Sequence, residues 1–171
     1  MDSIVRLRAL EPGDIDFLYQ LENDMDLWYL SHQQQPMSRM LLMKYIQEAD
    51  KSIYEVGQFR LAIEKTKGGE LLGFIDLFDF DPKNKRAGIG IIIKNSEQRN
   101  RGYGKAALQQ LIKYCFRVLH LHQIYANIAV DNPASIRLFE SLGFERSGLK
   151  KEWNFDGENY QDEYFYQLIN K

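Results

Sequence analysis

Apolar positions change their period several times along the chain, and each change marks an element. Ile4-Val5-Arg6-Leu7-Arg8-Ala9-Leu10 alternates as a strand does, and Pro12-Gly13-Asp14 ends it before Ile15, Phe17, Leu18 and Leu21 recur at helical spacing. A second helical stretch starts near Met37, with Ser38 at its head and Met40, Leu41, Met43, Lys44, Tyr45 and Ile46 along it. The middle is strand-rich. Phe59, Leu61 and Ile63 alternate, Gly68-Gly69 supplies a turn, and a long apolar run covers 71–80, which together predict a hairpin. After a second turn at 81–85, Ala87-Gly88-Ile89-Gly90-Ile91-Ile92-Ile93 reads as a central strand buried on both faces.

The strongest helical pattern follows, where Ala107, Leu108, Leu111, Ile112, Cys115, Phe116 and Leu119 step by three and four into one apolar stripe. A strand over 123–129, a short helix over 133–142 closed by Gly143, and a hairpin of 144–155 with 160–168 around Asp156-Gly157 complete the chain. Strands and helices intermix with no repeat or linker, so the class is α+β with a mixed sheet, a single domain over 1–171.

Composition narrows the function. With 44% hydrophobic residues, 27% charged residues and 4 prolines in 171, disorder and low complexity are excluded. Twenty-two Lys+Arg against 24 Asp+Glu give a net charge of -2, without the basic excess of a nucleic-acid binder. No apolar run approaches the ~20 residues of a membrane span, and the N-terminus has no apolar leader segment. The lone Cys115, between Tyr114 and Phe116, reads as a packed thiol in a reducing cytoplasm. His120 and His122 lack partners at metal-ligand spacing, so no metal is expected. Trp28, Tyr29, Tyr103, Tyr125, Trp153 and Tyr160 read as core or pocket wall.

One segment carries chemistry. Arg99-Asn100-Arg101-Gly102-Tyr103-Gly104-Lys105-Ala106 joins the central strand to the strongest helix, where glycines let backbone N–H groups converge on an anion at a helix N-terminus. It has neither the Gly-Lys-Ser/Thr ending of a P-loop nor the three glycines of a dinucleotide fingerprint. By itself it is either a phosphate cradle or a plain glycine turn with solvated arginines.

The order of these features resembles the GCN5-related N-acetyltransferase (GNAT) family: Arg-x-x-Gly-x-Gly after a strand, then a helix, a strand, Asn132-Pro133, and Leu138-Phe139-x-x-Leu142-Gly143-Phe144. The resemblance runs from about Ile4 to Leu168 and is greatest to the spermidine N-acetyltransferase branch, at Leu7-Arg8-Ala9-Leu10-Glu11, Leu72-Gly73, His120 to Tyr125 and Val130-Asp131-Asn132-Pro133. It implies a central, mostly antiparallel mixed sheet flanked by helices, with two central strands parting around acetyl-CoA. It also implies direct acetyl transfer to an amine with no metal. Arg99, Arg101, Gly102, Tyr103, Gly104 and Lys105 would hold the pyrophosphate, and Ile91, Ile92 and Ile93 would lie along the acetyl-bearing arm. Asn132 would contact pantetheine, while capping the helix that starts at Pro133 explains it equally well.

The reaction needs a proton removed from an amine of pKa ~10.4 and favours one delivered to a thiolate of pKa ~8.5. Relatives place a tyrosine acid seven residues after the asparagine; here that cofactor-side position is Phe139, which has no proton to give. Ser135, one turn earlier and matching a serine of ribosomal-protein N-terminal acetyltransferases, is the candidate for thiolate contact; the alternative is an ordinary first-turn serine. Asp76 is the candidate base, with Asp79 beside it on the same strand; solvent-facing strand carboxylates are the alternative reading. The expected acceptor is a small amine, a polyamine such as spermidine first, or else a peptide N-terminus. A CoA-binding sensor without turnover is the rival from another class, and a homo-oligomer is compatible with the family.

Overall fold

The computed structural model describes residues 3–171, except for the side chains of Tyr29 and Leu30. The expectation for Tyr29 therefore lies outside the described residues. In chain order the elements are β1 (Val5–Arg8), α1 (Ile15–Glu22), α2 (Trp28–Ser31), α3 (Arg39–Glu48), α4 (Ile53–Val56), β2 (Phe59–Lys65), β3 (Leu71–Asp81), β4 (Arg86–Ile93), α5 (Tyr103–Arg117), β5 (Gln123–Ala129), α6 (Pro133–Glu140), β6 (Glu145–Phe155) and β7 (Tyr160–Ile169). The one-turn helices α2 and α4 were not anticipated, since four residues are too few to show a 3.6-residue period. Ser38 caps α3 as expected, its Oγ accepting from the Leu41 amide at 3.1 Å. Leu42 and Ile46, one turn apart, pack near Leu18 and Leu21 of α1, while Met40 is 82% exposed.

Seven strands form one sheet in the order β1-β2-β3-β4-β5-β7-β6. Every neighbouring pair is antiparallel except β4 with β5. Helices α5 and α6 cover one face through Ala107, Leu108, Leu111, Cys115 and Phe139; α1 and α3 cover part of the other, over Ala62 and Phe74. Cys115 is buried, and burial pushes its thiol up to about 12, as a packed rather than reactive cysteine requires.

The parallel ladder between β4 and β5 is short: Arg86 faces Gln123, Ala87 faces Ile124, Gly88 faces Tyr125, and there pairing stops. Beyond Gly88 the strands part. This corrects the expectation of a strand buried throughout: Ala87, Gly88 and Ile89 are buried, but Gly90 to Ile93 are half-buried because their β5 neighbour has left.

Candidate active site

The Lys94 amide donates to the Leu72 carbonyl at 3.0 Å, so by antiparallel alternation the even-numbered residues of β4 bond to β3. The backbone groups of Ile89, Ile91 and Ile93 therefore point the other way. At Ile91 no strand meets them, leaving its N–H and C=O open to the gap. The Ile93 carbonyl is taken by Arg99 Nε at 3.1 Å, and Arg99 also reaches the Lys94 carbonyl at 3.4 Å. Arg99 thus pins the end of β4.

The gap leads to the head of α5. Gly102, at φ 83, makes the left-handed turn into the helix, and no side chain caps it. The first helical bond runs from the Ala106 amide to the Gly102 carbonyl, so the amides of Tyr103, Gly104 and Lys105 have no intrahelical partner. Gly104 sits where α5, α6 and β4 meet. A Cβ there would lie 3.5 Å from Leu138 and 3.7 Å from Ile91, ordinary contact distances that the chain's own packing tolerates. Arg101 and Lys105 are exposed beside these amides.

On α6, Asn132 caps the helix, its Oδ1 accepting from the Ser135 amide at 3.2 Å. The cap uses only one end of the side-chain amide; among the described residues its Nδ2 makes no hydrogen bond. Ser135 is half-buried, and its hydroxyl has no partner among the described residues. Phe139 is 3% exposed and packs edge-on against Phe144, 5.0 Å between ring centres, so this position serves the core beneath the site.

Where β4 and β5 part, the opposite face of the sheet carries a second cluster. The β3–β4 register slips between Phe78 and Asp81, and in this bulge Asp79 adopts φ 48. It accepts a hydrogen bond from the Tyr125 hydroxyl at 3.2 Å, and Tyr125 belongs to the last pair before the strands part. Burial first, and the Asp79 carboxylate second, push the Tyr125 phenol up to about 12, so it stays a donor at neutral pH. The Phe78 ring lies over Gly88, where an added Cβ would come within 2.3 Å of it.

Asp76 points elsewhere. Arg60 grips both its oxygens, Nε to Oδ1 at 2.6 Å and Nη2 to Oδ2 at 3.1 Å, and also pairs with Glu22 of α1. With its lone pairs engaged by a guanidinium, Asp76 is poorly placed to take a proton. The structure thus separates the two carboxylates the sequence left together. Among the described residues no group of three His, Cys, Asp or Glu is arranged to hold a metal ion.

A mixed sheet that parts between its two parallel strands, with uncapped amides at the head of the next helix, belongs to transferases that hold a long anionic cofactor in the gap. Residues 5–145 match the acetyltransferase (GNAT) domain, and the chain belongs to that family. It is an acetyl-CoA-dependent N-acetyltransferase. The spermidine N(1)-acetyltransferase of Vibrio cholerae is 30% identical over 165 residues, 95% of this chain and 91% of that one. A crystal structure of the Vibrio cholerae spermidine N-acetyltransferase with CoA and spermine superposes with a TM-score of 0.86 at 27% identity, covering 98% of this chain and 96% of the other. A dodecameric form of the Vibrio cholerae enzyme gives a TM-score of 0.80 at 29% identity over 98% and 95%.

Proposed function

We propose that this chain transfers the acetyl group of acetyl-CoA to a primary amine of a polyamine, spermidine first. The observation that carries the reading is the parting of β4 and β5, with the free backbone of Ile91 and the head of α5 on one side and Asp79–Tyr125 on the other. The donor set suits the cofactor. Unpartnered amides of Tyr103, Gly104 and Lys105, with Gly102 shaping the turn and Arg101 and Lys105 adding charge, would hold the pyrophosphate. Ile91, flanked by Ile92 and Ile93, would pair its backbone with the pantetheine arm, and the Asn132 Nδ2 is free to join it. Bound there, acetyl-CoA supplies an activated acyl carbon.

The amine then approaches from the face of Asp79. In this reading Asp79 takes the proton that the nitrogen must lose, and Tyr125 holds that carboxylate in place. As the C–N bond forms and the C–S bond breaks, Ser135, whose hydroxyl is uncommitted, donates a hydrogen bond to the departing thiolate. Asp76 supports Arg60 and keeps the acceptor side acidic together with Glu22. A peptide N-terminus remains a second acceptor, favoured by Ser135. Residues 1–171 would act as one domain in the cytoplasm and assemble into a homo-oligomer, as the dodecameric relative does. No helix among the described residues is long and apolar enough to cross a membrane.

The test is thiol release from acetyl-CoA with spermidine, spermine, simple diamines and short peptides, beside a control without amine. Release that depends on a polyamine supports the reading, and release with peptides alone moves the acceptor class. Acetyl-CoA binding with no release would leave a sensor.

A further inference from the structure

Three glycines lie inside β3 and β4, and the chain's own packing explains two of them. At Gly73 an added Cβ would come within 1.9 Å of the Ile92 carbonyl oxygen, and at Gly88 within 2.3 Å of the Phe78 ring. Gly90 is different. Beyond its chain neighbours, a Cβ there would meet only Phe78 Cε1 among the described residues, at 3.8 Å, an ordinary contact. Its backbone is not in the left-handed region, so any residue could adopt it. Glycine in a strand interior weakens the strand, and the fold gains nothing from this one.

The missing side chain belongs to the face proposed for the acceptor. Ile91 packs toward α5 and α6, and Ile92 packs with Phe74 toward α1 and α3, so by alternation position 90 points with Ile92. Asp76 is its partner across the β3 ladder, and on the other side no β5 residue pairs with it. The charged groups on this face are committed, Asp76 to Arg60 and Lys150 to Asn127 and Glu163, whereas Gly90 is half-buried with only the edge of Phe78 over it. The peptide unit joining Gly90 to Ile91 carries the N–H that opens into the gap. An acyl group held by that N–H would lie beside the Gly90 Cα.

We propose that Gly90 is a specificity-determining residue for the acceptor: the place of its missing side chain takes the carbon that bears the attacking nitrogen, against the edge of Phe78. The inference rests on the amine-acceptor reading above and deepens it. A carbon 3.8 Å from a ring carbon is at van der Waals distance, so the terminal CH2 of a polyamine fits there with its nitrogen turned to the acyl carbon. A protein side chain in that place would push the carbon aside and the nitrogen with it, and misplacement of the nucleophile is costly in rate. The acceptor that suits the place is a primary amine on an unbranched alkyl chain.

Gly90→Ala and Gly90→Val test this beside the wild type, with spermidine, 1,4-diaminobutane and 2,5-diaminohexane as acceptors. The two diamines space their nitrogens equally and differ by a methyl on each carbon that bears nitrogen. Gly90→Ala should lower kcat/KM for spermidine about tenfold, and Gly90→Val should lower it further. The acetyl-CoA Kd measured by calorimetry and the unfolding midpoint of Gly90→Ala should match the wild type. The ratio of kcat/KM for 1,4-diaminobutane to that for 2,5-diaminohexane should rise about fivefold in Gly90→Ala, because the new methyl and the branch compete for one place. That ratio cancels any loss of folded or acetyl-CoA-loaded enzyme. Spermidine kcat/KM within about twofold of wild type in Gly90→Ala overturns the inference alone, as does a fall matched by weaker acetyl-CoA binding or a lower midpoint. Wild-type protein that binds acetyl-CoA and acetylates none of the three amines overturns the acceptor reading beneath it.

Discussion

Two glycines on the two sides of the parted strands are held for opposite reasons. Gly88 is required by the protein itself, because the Phe78 ring occupies the place of its side chain. Gly104 is not; a Cβ there would make ordinary contacts, and the backbone angle is one any residue adopts. On the face proposed for the acceptor the groups are spoken for: Asp79 by Tyr125, Asp76 by Arg60, Lys150 by Asn127 and Glu163. On the face proposed for the cofactor, three amides and the Ile91 backbone have no partner among the described residues. In the reading proposed above, the cosubstrate would be held by what the chain leaves unused, and the acceptor by side chains that hold one another in place.

That contrast can be broken experimentally. The largest effect is expected from Gly88→Val, whose methyl groups would collide with Phe78 at a cost of about 3 kcal/mol, seen as a fall in the unfolding midpoint together with lost turnover. Asp79→Asn should leave the fold and the acetyl-CoA KM in place and lower kcat/KM for the amine about 100-fold, whereas Asp76→Asn should weaken stability more than chemistry. Steady-state kinetics beside thermal melts on the pair will separate the two carboxylates. Gly104→Val should raise the acetyl-CoA KM about tenfold through blocked approach to the amides, while Gly104→Ala melts close to the wild type. An unchanged KM in the valine variant would remove the pyrophosphate assignment.

Smaller effects sharpen the comparison. Ser135→Ala should lower kcat by a factor of about 5 with little change in KM, since positioned reactants retain most of their rate without one hydrogen bond. Tyr125 gives a pH signature. Its folded-state pKa lies above the unfolded value, so between about pH 10 and 12 the folded chain keeps a proton the unfolded chain has lost, and stability falls as pH rises. Denaturant melts across that window should decline less steeply in Tyr125→Phe.

The fold was legible where the signal is local. Strands 123–129 and 160–168, the α5 stripe and the Ser38 cap follow from period and capping chemistry, and the glycine loop follows from helix polarity. The resemblance implied that two central strands part, but periodicity alone misses what depends on pairing between distant strands. The half-exposure of Gly90 to Ile93 arises from a ladder that stops at Tyr125, and periodicity within one strand carries no trace of where its neighbour leaves. Asp76 and Asp79 look equivalent three residues apart. A bulge in β3 and an arginine on β2 give them different duties. Tyr125, read as pocket wall, was missed as the partner of Asp79 because that bond spans 46 residues of sequence.

The parting also gives the sheet two edges in its interior, and an unpaired edge ordinarily invites another polypeptide to dock along it. Here the wedge is walled by α5 and α6, and Arg99 has already taken the Ile93 carbonyl at its mouth. On the placement proposed above, the acetyl carrier would serve as a temporary eighth strand, and the Ile91 amide, which no strand meets in the free protein, should become protected from deuterium exchange each time one binds.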